Sequence, residues 1–411
     1  MADFYQNGIV TTLHRLTKDD TERLESDLQE FSRNKPIGLV LPALYSEFET
    51  PAMQRIVSQL KKVRYLQRIV VALGAANEGQ FYQAREFFRN FYTPVAVLWM
   101  SGARIQALLR MLETKDISAG PDGKGRSCWM AYGYLLSKRD CQVIALHDCD
   151  IVNYDRQLLA RLCYAVAHPL LSFDFCKGYY ARVTDRMHGR VTRLFMAPLI
   201  RALEGMAPGN PYLRFLDSFR FPLAGEFAMD IDLARVNRIP GDWGLEVGVL
   251  AEIFRNCATA RTCQVDLMDN YEHKHQALST EDPAKGLSRM AADIAKSIFS
   301  TLAAEGLVFT SDHFHSLEVR YVRMAQDTIA RYYADALLNG LKFDRHAEEL
   351  AVAVFARSLS AAAAEFVSNP RGLTLIPNWN RVLAALFSFS LLFTTKQACG
   401  NCFSIACLVV F

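Results

Sequence analysis

Four short apolar runs in the first 150 residues show almost no polar alternation: Ile37–Leu41 (IGLVL), Arg68–Leu73 (RIVVAL), Pro94–Trp99 (PVAVLW) and Gln142–Leu146 (QVIAL). Between them, Pro51–Val63, Gln80–Phe91, Ile105–Leu112 and Ser127–Leu136 repeat apolar residues at helical spacing, and Asp155–Val166 reads as a further helix. Non-alternating strands separated by helices predict a parallel sheet covered on both faces. In such sheets ligands sit at the carboxyl ends of the strands. The residues that follow each strand are therefore where chemistry is to be sought. From about Asp282 the pattern changes: Ser288–Ala304, Ser316–Leu338, Arg345–Phe366 and Trp379–Phe393 are long, rich in Ala and Leu, and nearly free of strand signals. The expected organisation is an α/β catalytic domain over 1–282 and an α-helical C-terminal region over 283–395 that supports assembly. A tail at 396–411 is unlike the rest of the chain.

Composition narrows the class. The chain has 411 residues, 51% of them apolar and 22% charged, which is ordinary globular usage. With 46 basic and 43 acidic side chains the net charge is +3, so bulk electrostatics make no case for nucleic acid as a partner. The N-terminal stretch lacks an apolar secretory core, and the ten cysteines are scattered among apolar runs. Both point to a cytoplasmic protein with reduced thiols. Cys399 and Cys402 form a lone CxxC, too little for a zinc site. The apolar runs near the C-terminus are each shorter than the ~20 residues that span a bilayer, so no stable membrane insertion is expected.

The candidate chemistry starts at His147-Asp148-Cys149-Asp150, directly after QVIAL. Two carboxylates at i and i+2 past a strand end can hold one hard divalent cation, which in turn bridges the phosphates of a nucleoside diphosphate. The segment Gly120–Arg126 (GPDGKGR) looks like a phosphate loop but fails as one, since Ser118 stands where glycine is needed and Gly125 follows Lys124. It still brings one lysine and a helix N-terminus toward an anion. Gly189-Arg190-Val191-Thr192, after KGYYAR (Lys177–Arg182), offers a planar fork of donors and a hydroxyl suited to phosphate or carboxylate. The glycines and acids of PLAGE (Pro222–Glu226) and GDWGLE (Gly241–Glu246) suit close approach to sugar hydroxyls. Tyr271–His275 (YEHKH) supplies imidazole as a candidate third metal ligand.

In this order, KGYYAR, GRVTRL with PLIRAL after it, FPLAGEFAM, GDWGLEVGVL and EHKH resemble the retaining glycosyltransferases that make glucosyl-3-phosphoglycerate, with mannosyl-3-phosphoglycerate synthases as relatives. The likeness runs from about Ile37 to His275. It implies a GT-A fold, that is, a Rossmann-like nucleotide-sugar-binding domain with a mainly parallel central sheet, followed here by the helical region. It implies a nucleoside-diphosphate sugar as donor, Mg²⁺ or Mn²⁺ as cofactor, and D-3-phosphoglycerate as acceptor, the product serving compatible-solute synthesis. Position by position, the resemblance makes Asp148, Asp150 and His273 the metal ligands. Lys124, Asp150 and Glu246 become the catalytic groups. Pro42, Ala43, Leu44, Glu47, Lys124, Asp148 and Glu246 become the donor site, with the nucleotide turn following the first strand. Gly189, Arg190, Thr192 and His275 become the acceptor site. The family commonly has Asn at Tyr45 and at His275, and an acidic turn where this chain reads Leu73-Gly-Ala-Ala. UDP-glucose and GDP-mannose therefore both stay open as donors, as does another acceptor such as a lipid or polysaccharide. A homodimer, the commonest oligomer, is the expected assembly.

Overall fold

The computed structural model describes residues 5–6, 8–17, 20–273, 286–372 and 375–393. The strands are β1 (Thr11–Leu13), β2 (Ile37–Leu44), β3 (Leu66–Gly74), β4 (Val95–Trp99), β5 (Val143–Leu146), β6 (Phe175–Tyr180), β7 (Phe227–Asp230), β8 (Ile239–Pro240), β9 (Thr262–Met268) and β10 (Leu375–Ile376). Eight of them form one sheet in the order β1-β9-β6-β7-β5-β2-β3-β4, while β8 pairs with β10 alone. All neighbours in the large sheet are parallel except β7, which runs antiparallel to both β6 and β5. The four apolar runs become β2 to β5; β5 and most of β2 are buried on both faces, as unbroken apolar runs require, while the edge strand β4 is mostly half-buried.

Strand β2 runs three residues past the predicted Leu41. Pro42 and Ala43 thus lie inside the strand, opposite Ala72 and Leu73, and are not part of the turn after it. A strand residue without an N–H is tolerated there, since β5 has left the ladder at Val40↔Leu146.

Helices α1 (Thr21–Phe31), α2 (Pro51–Leu60), α3 (Glu78–Phe87), α4 (Ala103–Glu113), α5 (Lys124–Lys138), α6 (Arg156–Ala167), α7 (Ala197–Glu204), α8 (Pro211–Asp217), α9 (Ile231–Val236) and α10 (Leu245–Asn256) cover the sheet. Their starts follow local chemistry. Thr50 caps α2 with Pro51 in its first turn, and the Asp155 carboxylate accepts the Gln157 N–H at 2.8 Å to begin α6. Helix α5 has no side-chain cap; Gly123 precedes it and leaves its N-terminus open beside Lys124.

The C-terminal part comprises α11 (Gly286–Ala304), α12 (Ser311–Leu338), α13 (Arg345–Ser368) and α14 (Trp379–Phe393). One continuous apolar core joins Val40 and Val70 of the sheet, Trp129 of α5, Phe195, and Ile294, Tyr321, Phe355 and Trp379 of the C-terminal helices. Trp379 stacks on Trp129 with ring centroids 4.3 Å apart, and each indole N–H donates to a carbonyl, Trp129 to Pro377 at 2.8 Å and Trp379 to Trp129 at 3.0 Å. Gly133 is needed beneath that pair, because a Cβ there would meet the Trp379 ring at 2.0 Å. The C-terminal helices therefore share one apolar core with the sheet. Helix α13 is long and apolar enough to cross a membrane, yet its Ala351, Phe355, Leu359 and Phe366 are buried in this core.

Candidate active site

Strand β5 lies mid-sheet, and its carboxyl end delivers His147 to Asp150 to the sheet edge where β2 delivers Glu47. The chain after β9 comes back to the same edge. Ile151 bridges His273, the Val152 N–H donates to the Glu272 carbonyl at 2.7 Å, and the His273 Nδ1 stands 3.5 Å from an Asp150 oxygen. Of the three residues expected to hold metal, Asp150 and His273 are thus brought together. Among the described residues no three His, Cys, Asp or Glu side chains are grouped closely enough to hold a metal ion, and Asp148 is instead engaged by Lys124. A site of two carboxylates and one imidazole suits a divalent cation that keeps water and phosphate oxygens in its remaining positions. Glu47 shows the local excess of negative charge. Burial, then repulsion from Asp150, pushes its carboxyl up to about 7, even though it accepts the Leu44 N–H at 3.1 Å.

Lys124 occupies the first turn of α5 and lies 2.6 Å from Asp148 and 2.9 Å from Glu246. Its loop can reach that place because Gly125 lacks a Cβ, which would meet the Pro240 carbonyl at 2.1 Å. The same close contact presses the loop against Gly241, where GDWGLE begins, and so sets Glu246 beside the lysine. Gly225 acts likewise on the other side, where a Cβ would lie 2.4 Å from an Asp148 oxygen. Burial opposes charge on Lys124, but Asp148 and Glu246 outweigh it and hold its pKa well above the ordinary lysine range. Burial also opposes ionisation of Asp148, and the Lys124 ammonium overrides it, keeping the carboxyl below its usual value.

Two further ionisable groups lie beneath the site: Glu226, the acid expected to approach sugar hydroxyls, and Lys177, which was not singled out beforehand. Glu226 is fully buried and accepts hydroxyls from Tyr180 at 2.8 Å and Tyr271 at 2.6 Å, the two rings stacked at 3.8 Å. Burial, with repulsion from Asp148, raises its pKa. Lys177 is buried too. Its ammonium donates to the Ala224 carbonyl at 2.5 Å and thereby fixes the PLAGE loop, while burial pulls its pKa down to about 8.

The residues expected to bind the acceptor stand on the turn into α7. Gly189 has φ +76°, the left-handed region that favours glycine, and a π-helical turn, Val191–Met196, follows and carries Thr192. A Cβ at Gly189 would meet the Arg182 guanidinium at 4.0 Å. Arg182 belongs to the KGYYAR stretch but was not singled out beforehand. Burial lowers its pKa against the pull of Tyr180, Tyr271 and Asp150, and its buried Nε has no hydrogen-bond partner. Arg190 is not an open donor fork, because its Nε donates to Glu348 of α13 at 3.0 Å. Of the residues expected to bind the donor, Leu44 and Glu47 flank the site, while buried Pro42 and Ala43 can offer it only backbone. His275 lies outside the described residues.

No family model matches the chain. It is 50% identical over 386 residues to the glucosyl-3-phosphoglycerate synthase of Persephonella marina, covering 94% of this chain and 96% of that one. It is 40% identical over 390 residues to the glucosyl-3-phosphoglycerate synthase of Methanococcoides burtonii, covering 93% and 94%. The fold is shared with glucosyl-3-phosphoglycerate synthase from Mycobacterium tuberculosis, solved in complex with Mg²⁺ and uridine diphosphate (TM-score 0.52, 20% identity, 74% of this chain and 89% of that chain). It is also shared with mannosyl-3-phosphoglycerate synthase from Rubrobacter xylanophilus (TM-score 0.52, 21% identity, 69% and 80%). On its identity to full-length relatives, the chain belongs to the glucosyl-3-phosphoglycerate synthase family.

Proposed function

We propose that this site transfers glucose from UDP-glucose to D-3-phosphoglycerate with retention at the anomeric carbon, giving glucosyl-3-phosphoglycerate for compatible-solute synthesis. One observation supports this above others. A strand-end acidic pair with a lysine for a diphosphate lies on the same sheet edge as a two-arginine turn for a second, separate anion. Asp148, Asp150 and His273 would hold Mg²⁺ or Mn²⁺, which when bound neutralises diphosphate charge. Leu44 and Glu47 border the nucleotide. Lys124 donates to the departing phosphate, and Glu246 fixes the lysine and meets the sugar. Arg182, Gly189, Arg190 and Thr192 grip the acceptor phosphate. The acceptor hydroxyl attacks from the face the diphosphate leaves and passes its proton to the departing phosphate oxygen. Glu246 is held by Lys124 and is not presented as a nucleophile.

A screen of UDP- and GDP-sugars against 3-phosphoglycerate is expected to give turnover with UDP-glucose and little with GDP-mannose. Arg190→Ala is expected to raise the acceptor KM by about ten- to a hundredfold, the worth of one charge-assisted bond, with donor KM nearly constant. Glycerate serving as well as 3-phosphoglycerate, or an unaltered acceptor KM in Arg190→Ala, would sink the acceptor assignment.

We also propose a cytoplasmic homodimer. The described cysteines are free and mostly buried, and α12 exposes Val319, Leu337 and Leu338. Light scattering at micromolar protein is expected to give twice the chain mass; a monomer refutes the dimer.

A further inference from the structure

The C-terminal helices touch the acceptor turn as well as the core. Glu348, in the first turn of α13, is buried and places one carboxylate oxygen on each of two arginines, Oε1 on Arg190 Nε at 3.0 Å and Oε2 on Arg193 Nη1 at 2.9 Å. Arg193 is closed in from every side. Its Nε donates to the His188 carbonyl at 2.9 Å, and its guanidinium lies 4.9 Å over the Tyr332 ring of α12. Arg190 is different. Glu348 takes only its Nε, and its side chain is 36% exposed. Among the described residues the two terminal nitrogens of that guanidinium therefore remain as an end-on pair for an anion, with direction set by the bond at Nε. The connection between α12 and α13 holds the far end of the loop, where Lys342 donates its N–H to the Asp185 carbonyl at 2.8 Å and pairs its ammonium with the Asp185 carboxylate at 2.9 Å.

We propose that Glu348 is a positioning residue for acceptor selection, pinning Arg190 at Nε so that its free end faces the acceptor phosphate. The proposal rests on the assignment of Arg190 to that phosphate. An unpinned arginine must lose rotamer freedom each time the acceptor binds, and an uncompensated neighbour, Arg193, would compete for the same anion. Both effects fall on acceptor binding and leave the donor, held at the strand ends, largely untouched.

The test compares steady-state constants of the full-length protein and of Glu348→Gln, Glu348→Asp, Arg190→Ala and the Arg190→Ala/Glu348→Gln pair, with UDP-glucose and 3-phosphoglycerate as substrates. Glu348→Gln keeps the shape but loses the charge, and is expected to raise acceptor KM about tenfold with donor KM moving less than about twofold. Glu348→Asp keeps the charge with shorter reach and is expected to recover part of the loss. It carries the comparison alone if the glutamine variant does not accumulate folded. In the Arg190→Ala background, Glu348→Gln is expected to add less than about twofold, since the group it positions is gone. Parallel rises in both KM values, a full additive effect in the double variant, or an unchanged acceptor KM in Glu348→Gln beside a raised one in Arg190→Ala would each overturn the positioning role alone. An unchanged acceptor KM in Arg190→Ala overturns the phosphate assignment and this proposal with it.

Discussion

Asp150→Ala is expected to cut kcat by at least about a thousandfold and not to recover in excess Mn²⁺ or Mg²⁺, because a divalent ion at developing phosphate charge supplies several kcal/mol. Asp150 is the better probe of the acidic pair. Asp148 is already bound at 2.6 Å to Lys124, so replacing it also frees the lysine and mixes two effects. Among the described residues the ion-pair partner of Asp150 is the His273 imidazole at 3.5 Å, which leaves most of its lone pairs for a cation. Asp150→Asn preserves shape and one acceptor oxygen, and a thermal melt close to that of the parent would exclude misfolding as the cause. EDTA is expected to abolish turnover of the parent chain, with Mg²⁺ or Mn²⁺ restoring it. Full activity in EDTA, or an Asp150→Ala enzyme restored by high metal, would remove Asp150 from the metal site.

Much of this arrangement was legible in the sequence, and the limits have a physical pattern. Strands β2 to β5 were readable because each carries an unbroken apolar run, buried in full in β5 and nearly so in β2. Strands β6 and β9 were not, because each carries polar residues that only tertiary partners satisfy. Lys177 in β6 bonds the Ala224 carbonyl, and Gln264 in β9 bonds Thr12 and the Ser218 carbonyl. The antiparallel β7 was hidden between two glycine turns for the same reason, since its place is set by neighbours on both sides. At the site, Asp148, Asp150 and Lys124 announced themselves by following a strand or opening a helix. Glu348 gave no signal, being 158 residues from Arg190 in an Ala-rich helix that reads as core. The apolar faces of the C-terminal helices share a core with the sheet, and the charged first turn of α13 reaches Arg190 and Arg193.

Lys124→Ala is expected to lower kcat by about a hundred- to a thousandfold, the usual cost of one donor aimed at developing negative charge, while donor KM changes by less than about fivefold. Geometry supports a role in the transition state over one in ground-state binding. An ammonium has three N–H donors, and two are directed at Asp148 and Glu246, at 2.6 and 2.9 Å. The third is free to follow a phosphate oxygen as its charge grows. The two carboxylates keep the lysine protonated far above neutral pH, so this donor is never lost in the working range. They also temper its attraction for the intact donor, since much of its charge is already matched before a nucleotide arrives. The extra charge that appears as the glycosidic bond breaks has no such prior match, and there the ammonium gains most. Glu246→Gln is expected to fall in the same direction by a smaller factor, because the amide oxygen still accepts from Lys124 but no longer holds it by charge. The measurement is a full set of kcat and KM values for both substrates at fixed metal. A Lys124→Ala enzyme whose whole defect lies in donor KM would show that the lysine binds the ground-state diphosphate and does not act on the departing one.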